Sequence, residues 1–367
     1  MKKIVLIAYC FLLGNTVFSQ KSNYWKAFMN EDETLFGYKD LKGDIKIPPK
    51  FSSVYYTDKF EHIIAVTEKK KGIWESYYLT KAGKQVGNDS LYIFDNAIDC
   101  ENEGFIRFTD TKTENVGMLD RNGRVVIPAQ YNAISKVQNG MVMALKEAEK
   151  QYWEHTNHEG CNHYSWKGGK EVLMDTLNNV LIENFSYTDK LNFYSLLKTK
   201  TPHPDPIRVN FLAKNGTYFS FIDFEKEFSS WFLNELIVNF TEQKLLDASY
   251  NSISSWDAEK GWIHTHKKSF LAKNFLLIQK KIIETLNPDM EYTIFKSGLN
   301  PFIYEDSSFD QYYNNCREAL EWKYPVMSVV VTYYKNKEIQ QNHFDFLRTD
   351  NGYKLISVTI RDANLKL

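Results

Sequence analysis

Between positions 36 and 222 the apolar residues come in short runs broken by turn-forming residues, a rhythm of strands rather than of helices. Gly37, Asp40, Gly43, Ile47, Pro48, Phe51 and Val54 recur in type 80 positions later as Gly117, Asp120, Gly123, Ile127, Pro128, Tyr131 and Ile134. Midway, residues 78–84 repeat the turn and place Gly83 forty residues from both Gly43 and Gly123. Weaker copies follow at 172–178, with Asn178 where glycine stood, and at 211–216, where Gly216 restores it. The repeating unit is therefore about 40 residues long, and it predicts stacked β units. Each Asp-x-x-Gly predicts a hairpin in which Asp40 or Asp120 caps turn amides while the glycine, or Asn178 as its best substitute, takes positive φ. A third apolar run, 63–66 or 141–145, is expected to close each unit, and Pro48 and Pro128 to end their strands or lie at an edge.

Beyond residue 222 the period lengthens. Phe224, Phe228, Trp231, Phe232, Leu236 and Phe240 recur at three- and four-residue steps and predict a helix over 223–246; a second is predicted over 267–286 and a third over 309–322. Extended segments are expected at 290–296, 325–334, 338–347 and 353–361, with turns at Asn336 and at residues 350–352. The expectation is a multi-domain chain: an all-β repeat array over 20–222, either an open meander or propeller-like, with an insertion at 149–170, then an α+β domain over 223–367. A helix wrapped by a bent antiparallel sheet is similar in element order to NTF2-like or cystatin-like domains, in order alone.

The pattern Gly-aromatic-x-Asp-x-x-Gly-x-x-x-Ile-Pro-x-x-aromatic at 37–51, with its counterpart at 117–131, resembles the WG-repeat family. The resemblance is clearest over 36–148 and fades through 222. Phe36-Gly37 and Val116-Gly117 stand where the eponymous Trp-Gly would be. The resemblance implies an all-β repeat array and an interaction surface, and it supplies no catalytic residues.

The first residues add a location. Lys2 and Lys3 precede an apolar stretch over 4–13 and a small residue at Ser19, which reads as a signal peptide over 1–19 and a secreted or periplasmic mature chain. Lysine and arginine number 45 against 46 acidic residues, so no bulk cationic field exists for nucleic acid, and no later run is long enough for a membrane span. With Cys10 in the leader, Cys100, Cys161 and Cys316 remain; at most one bridge can form, and burial of each as a thiol is the ordinary reading.

Candidate chemistry concentrates in the insertion. His155, His158, Cys161 and His163 offer four imidazole or thiolate ligands to a metal ion such as zinc, although their spacing fits no standard zinc motif and is one residue too long for HExxH. Tyr152, Trp153, Tyr164 and Trp166 offer aromatic faces to a partner. Phosphate-loop, dinucleotide and serine-elbow motifs are missing. The leading expectation is a non-enzymatic binding protein for a protein or envelope-polysaccharide partner, with no cofactor beyond that metal. The competing one is an envelope-directed hydrolase with its site around Asp257, Glu259, His264 and His266.

Overall fold

The computed structural model describes residues 23–54, 56–153, 164–335 and 338–366. The leader expected at 1–19 lies outside them. The chain is mostly β and antiparallel.

Five hairpins share one turn geometry, and the local sequence dictates it. In the first, joining strands Leu35–Lys39 and Ile45–Ser52, the Asp40 N–H donates to the Asp44 carbonyl at 2.9 Å and the Gly43 N–H to the Asp40 carbonyl at 3.0 Å. The same two bonds recur between Thr80 and Lys84, Asp120 and Arg124, Asp175 and Asn179, and Ala213 and Thr217. Gly43, Gly83, Gly123, Asn178 and Gly216 all hold positive φ, between 66° and 95°. The Asp40 carboxylate accepts from the Lys42 and Asp44 amides, Asp120 from Asn122 and Arg124, and Asp175 from Leu177 and Asn179. At the second turn the Thr80 hydroxyl does that work, and at the fifth Asn215 accepts from Thr217.

The prolines do not end their strands, although the strand that holds Pro128 does lie at the edge of its sheet, as expected. Ile45–Ser52 and Val125–Tyr131 run through Pro48 and Pro128. Pairing jumps from Tyr38↔Ile47 to Phe36↔Phe51, and from Met118↔Ile127 to Val116↔Tyr131, so each proline sits in a bulge where its missing N–H leaves no ladder position unmet. The bulge presses onto the facing glycine: a Cβ on Gly37 would lie 2.3 Å from the Ile47 carbonyl oxygen, and one on Gly117 2.7 Å from that of Ile127. Glycine and Ile-Pro are thus one steric device.

The third apolar run opens a unit instead of closing one. Ile63–Lys70 pairs along its whole length with Ile73–Thr80 through a two-residue turn, and touches Ile45–Ser52 at the single pair Phe51↔Glu68. Met141–Tyr152 likewise pairs forward with Tyr164–Asp175 along nearly its whole length, because this long antiparallel ladder satisfies more backbone groups than the two-residue pairing behind it. The fifth unit departs further: its last strand, Tyr218–Asp223, lies between Leu191–Thr199 and Arg208–Leu212.

Apolar clusters tie successive units together. Ile63, Ala65 and Tyr78 pack on Ile106 and Leu119. In the strand Met141–Tyr152, Val142 and Ala144 face the preceding cluster while Met141 and Met143 face the following one, so one strand's alternation serves two cores. Each unit buries its faces only against its neighbours, which is the logic of a repeat array.

In the carboxy-terminal segment the long helix predicted over 223–246 is broken. It comprises α1 (Phe224–Trp231), a π-type turn (Phe232–Leu236) and α2 (Glu242–Asp247); Asn239 at φ 50° ends the first part, and Thr241 caps the second by accepting from the Lys244 amide. The next helix, α3, spans Lys267–Ile283. Six strands form a sheet in the order Gly261–His266, Ser249–Asp257, Gly352–Thr359, Glu338–Thr349, Val326–Lys335 and Glu291–Ser297. All neighbours are antiparallel except Ser249–Asp257 with Gly352–Thr359, which is parallel. α1 and α3 cover one face through Phe228, Phe270, Leu271 and Ile278. Residues 298–325 cover the other through Tyr304, Phe309, Tyr313 and Tyr324. The helix predicted at 309–322 is a 3-10 turn, Ser307–Tyr312, followed by irregular chain, because this stretch is tethered elsewhere.

That tether corrects the cysteine reading. Cys100 and Cys316 are not separate buried thiols but a disulfide that spans 216 positions and joins the third unit to the carboxy-terminal segment. Around it the Lys59 N–H donates to the Asn315 carbonyl at 3.0 Å, and Lys136 pairs with Glu318. No helix among the described residues is long and apolar enough to cross a membrane.

Candidate functional site

A cleft of about 730 Å³ opens where the third to fifth units meet the tethered segment. Its repeat side is contributed by Tyr92, Phe94 and Arg107, by residues 133–136, Gln138 and residues 143–145, and by Glu171, Phe185 and residues 187–189. Lys296, Glu318, Glu321 and Trp322 supply the opposite wall. The size lies within the range of small-ligand sites.

The base is a buried ion pair. Arg107 sends Nη2 to Asp99 Oδ1 at 2.5 Å, Nε to Oδ2 at 3.1 Å and Nη1 to the Ile134 carbonyl at 3.0 Å, with its guanidinium 4.2 Å from the centroid of Tyr92. Burial pushes the Asp99 carboxyl upward, but the charge and hydrogen bonds of Arg107 more than offset this and hold it below the ordinary carboxylate range. Burial likewise pushes the Tyr92 phenol up, so it stays protonated. Higher on the wall, Lys296, its side chain only 5% exposed, lies 3.2 Å from Asp189 and 3.6 Å from Glu321. Lys136 pairs with Glu318 and stands 5.9 Å from the Trp322 ring. Glu171 accepts from the Tyr187 amide at 3.1 Å. Every cation of the lining therefore has a carboxylate partner, while Phe94 and Tyr187 present rings that are 72% and 67% exposed.

The insertion is the distal part of a long hairpin. Strands Met141–Tyr152 and Tyr164–Asp175 stay in register out to Tyr152↔Tyr164. Tyr152, Tyr164 and Trp166 form an edge-to-face cluster with centroids 5.9 and 5.2 Å apart, and Lys150 lies 4.3 Å from Tyr164. Trp153 follows, 60% exposed. None of the four lines the cleft. His155, His158, Cys161 and His163 lie outside the described residues. Of the turn residues named from the sequence, all seven shape hairpin ends, and none lines the cleft.

His264 and His266 line a second cavity, of about 740 Å³, and His264 Nδ1 lies 2.9 Å from the hydroxyl of buried Ser254. Asp257 and Glu259 do not line it: Asp257 accepts from the Glu259 and Lys260 amides of its own turn, and those bonds hold its carboxyl below the usual range. Elsewhere, His62, Glu61 and Glu101 come together beside the disulfide, with His62 Nδ1 2.5 Å from Glu101 Oε1. The cleft itself escaped sequence reasoning. Its walls come from residues 92–189 and 296–322, and no local pattern marks any of them.

A family model for the WG containing repeat matches residues 36–59 and 117–148. Those stretches hold the first and third of the five turns, both of them Asp-x-x-Gly, and both proline bulges. No curated protein and no solved structure matches the chain.

Proposed function

We propose that this chain is an exported, non-enzymatic binding protein, and that its repeat hairpins and its tethered carboxy-terminal α+β domain together wall the cleft in which the ligand sits. The observation that carries the reading is the charge pairing of the lining beside exposed aromatic rings. Groups committed to internal ion pairs hold a fixed shape and donate or accept further hydrogen bonds, but they are poor proton shuttles. The competing hydrolase would need Asp257 and Glu259 beside His264 and His266, but these two carboxylates lie outside the cavity that holds the imidazoles; the carboxylates lining it are Glu305 and Asp306, and Asp306 accepts from the Ser308 amide of its own turn.

Hydrogen–deuterium exchange of the full chain, with and without soluble envelope polysaccharide or peptide fractions, tests the proposal. Protection is expected at 92–94, 133–138, 185–189 and 318–322. Protection confined to the hairpin end around Tyr152, Trp153, Tyr164 and Trp166 would move recognition to that arm and overturn the cleft.

A further inference from the structure

Resting on the cleft reading, we infer that the ligand is an uncharged polysaccharide, held by ring stacking on Phe94 and Tyr187 and by hydrogen bonds to the ion-paired wall. Three features point there. The lining carries three cations, Arg107, Lys136 and Lys296, against four carboxylates, Glu171, Asp189, Glu318 and Glu321, with Asp99 a fifth behind Arg107. A polyanion would meet a net negative surface whose cations are already neutralised, so like-charge repulsion selects against it.

A second feature bears on peptides. An extended peptide adds to a sheet through free main-chain groups at an edge. The two-residue strand Ala133–Ile134, the edge of its sheet, lies in the cleft, and there the Ile134 carbonyl is occupied by Arg107 Nη1. Strand addition at that edge is blocked where it would have to begin.

The third feature is the pairing of surface types. Phe94 and Tyr187 line the same cleft with most of their ring surface open to solvent. Beside them stand planar groups with spare hydrogen-bonding capacity: Asp189 and Glu321 share one ammonium, and Glu171 spends one oxygen on a backbone amide. A sugar ring has an apolar C–H face and an equatorial rim of hydroxyls that both donate and accept, and this surface complements both at once.

Calorimetric titration of the full mature chain with cellohexaose, xylohexaose and chitohexaose, beside an alginate hexamer and a lysine-rich peptide, tests the inference. At least one neutral hexasaccharide should bind with an affinity nearly unchanged between about 50 and 300 mM NaCl. The double variant F94A/Y187A, which removes stacking on both rings, should weaken that binding about thirtyfold, with an unchanged melting temperature. Failure of every neutral hexasaccharide to bind, or binding that ignores the double variant, overturns the inference. If alginate or the peptide binds in its place and the double variant weakens it, the cleft stands as the site and the neutral polysaccharide falls. Where no ligand responds to the double variant, both fall together.

Discussion

Removing the disulfide by C100S/C316S separates what it does from what the interface does alone. The bridge closes a loop of 216 positions, and in the chain-entropy description this constrains the unfolded state by about 5 kcal/mol at 25 °C. Against that stand contacts that remain when the sulfurs go, among them the Lys59–Asn315 main-chain bond and the Lys136–Glu318 and Lys296–Asp189 ion pairs. Partly exposed contacts of this kind supply only about 1 kcal/mol each, so they do not replace the bridge. With a urea slope of about 3 kcal/mol/M, the unfolding midpoint should fall by about 1.5 M, and reductant should lower the wild-type midpoint to the same value while leaving the variant unmoved. The stretch holding Glu318, Glu321 and Trp322 lies immediately beyond Cys316, so its amides should exchange faster in the variant, and the cleft should lose affinity with them. A midpoint shift below about 0.3 M, or unchanged exchange at 317–322, would refute the view that the bridge fixes this wall.

Four other outcomes follow from the same geometry. Gly37→Ala and Gly117→Ala drive a Cβ into the facing carbonyl and should each destabilise by about 2–4 kcal/mol in urea unfolding, whereas Gly216→Ala, which meets no atom within 4 Å, should be limited to the backbone cost of about 1 kcal/mol. Asp120→Ala removes the acceptor for the Asn122 and Arg124 amides and should lower stability by about 1–2 kcal/mol. Asn178→Gly restores the repeat consensus but deletes the acceptor, at 2.7 Å, of the hydroxyl of buried Tyr131; a net loss of about 1 kcal/mol is expected, and a gain would show that turn strain outweighs that bond. The hydrogen bond that His62 donates to the Glu101 carboxylate raises the His62 pKa above its unfolded value, so this pair's contribution is complete below about pH 6.5 and is lost as pH rises through the folded pKa. Unfolding at pH 5.5 and 8.5 should therefore differ more in wild type than in His62→Gln, and equal differences would dissociate the pair from stability.

The turns were legible because everything that makes them is local. An aspartate that caps amides two and four positions on, and a residue that tolerates positive φ three positions on, act within five residues, so Asp40, Asp120 and even the glycine-less Asn178 could be read directly. Strand partnership was less legible. The run 63–66 has the same composition whether it pairs backward or forward, and only the two-residue turn after Lys70 decides. The helix predicted at 309–322 failed for a related reason: its apolar spacing serves the sheet face under Tyr312 and Tyr324, while Cys316 is held to another part of the chain.

By itself, the sequence determined a β-repeat rhythm, its turn chemistry and a change of period after residue 222, since hydrogen-bonding reach and side-chain alternation are properties of neighbours along the chain. Tertiary structure alone decided that Cys100 meets Cys316, that Lys296 lies between Asp189 and Glu321, and that Arg107 closes the base of a cleft. These contacts join segments about a hundred or more residues apart, or depend on how two sheets are laid together. No periodicity encodes such distances; they emerge only when buried faces choose their partners.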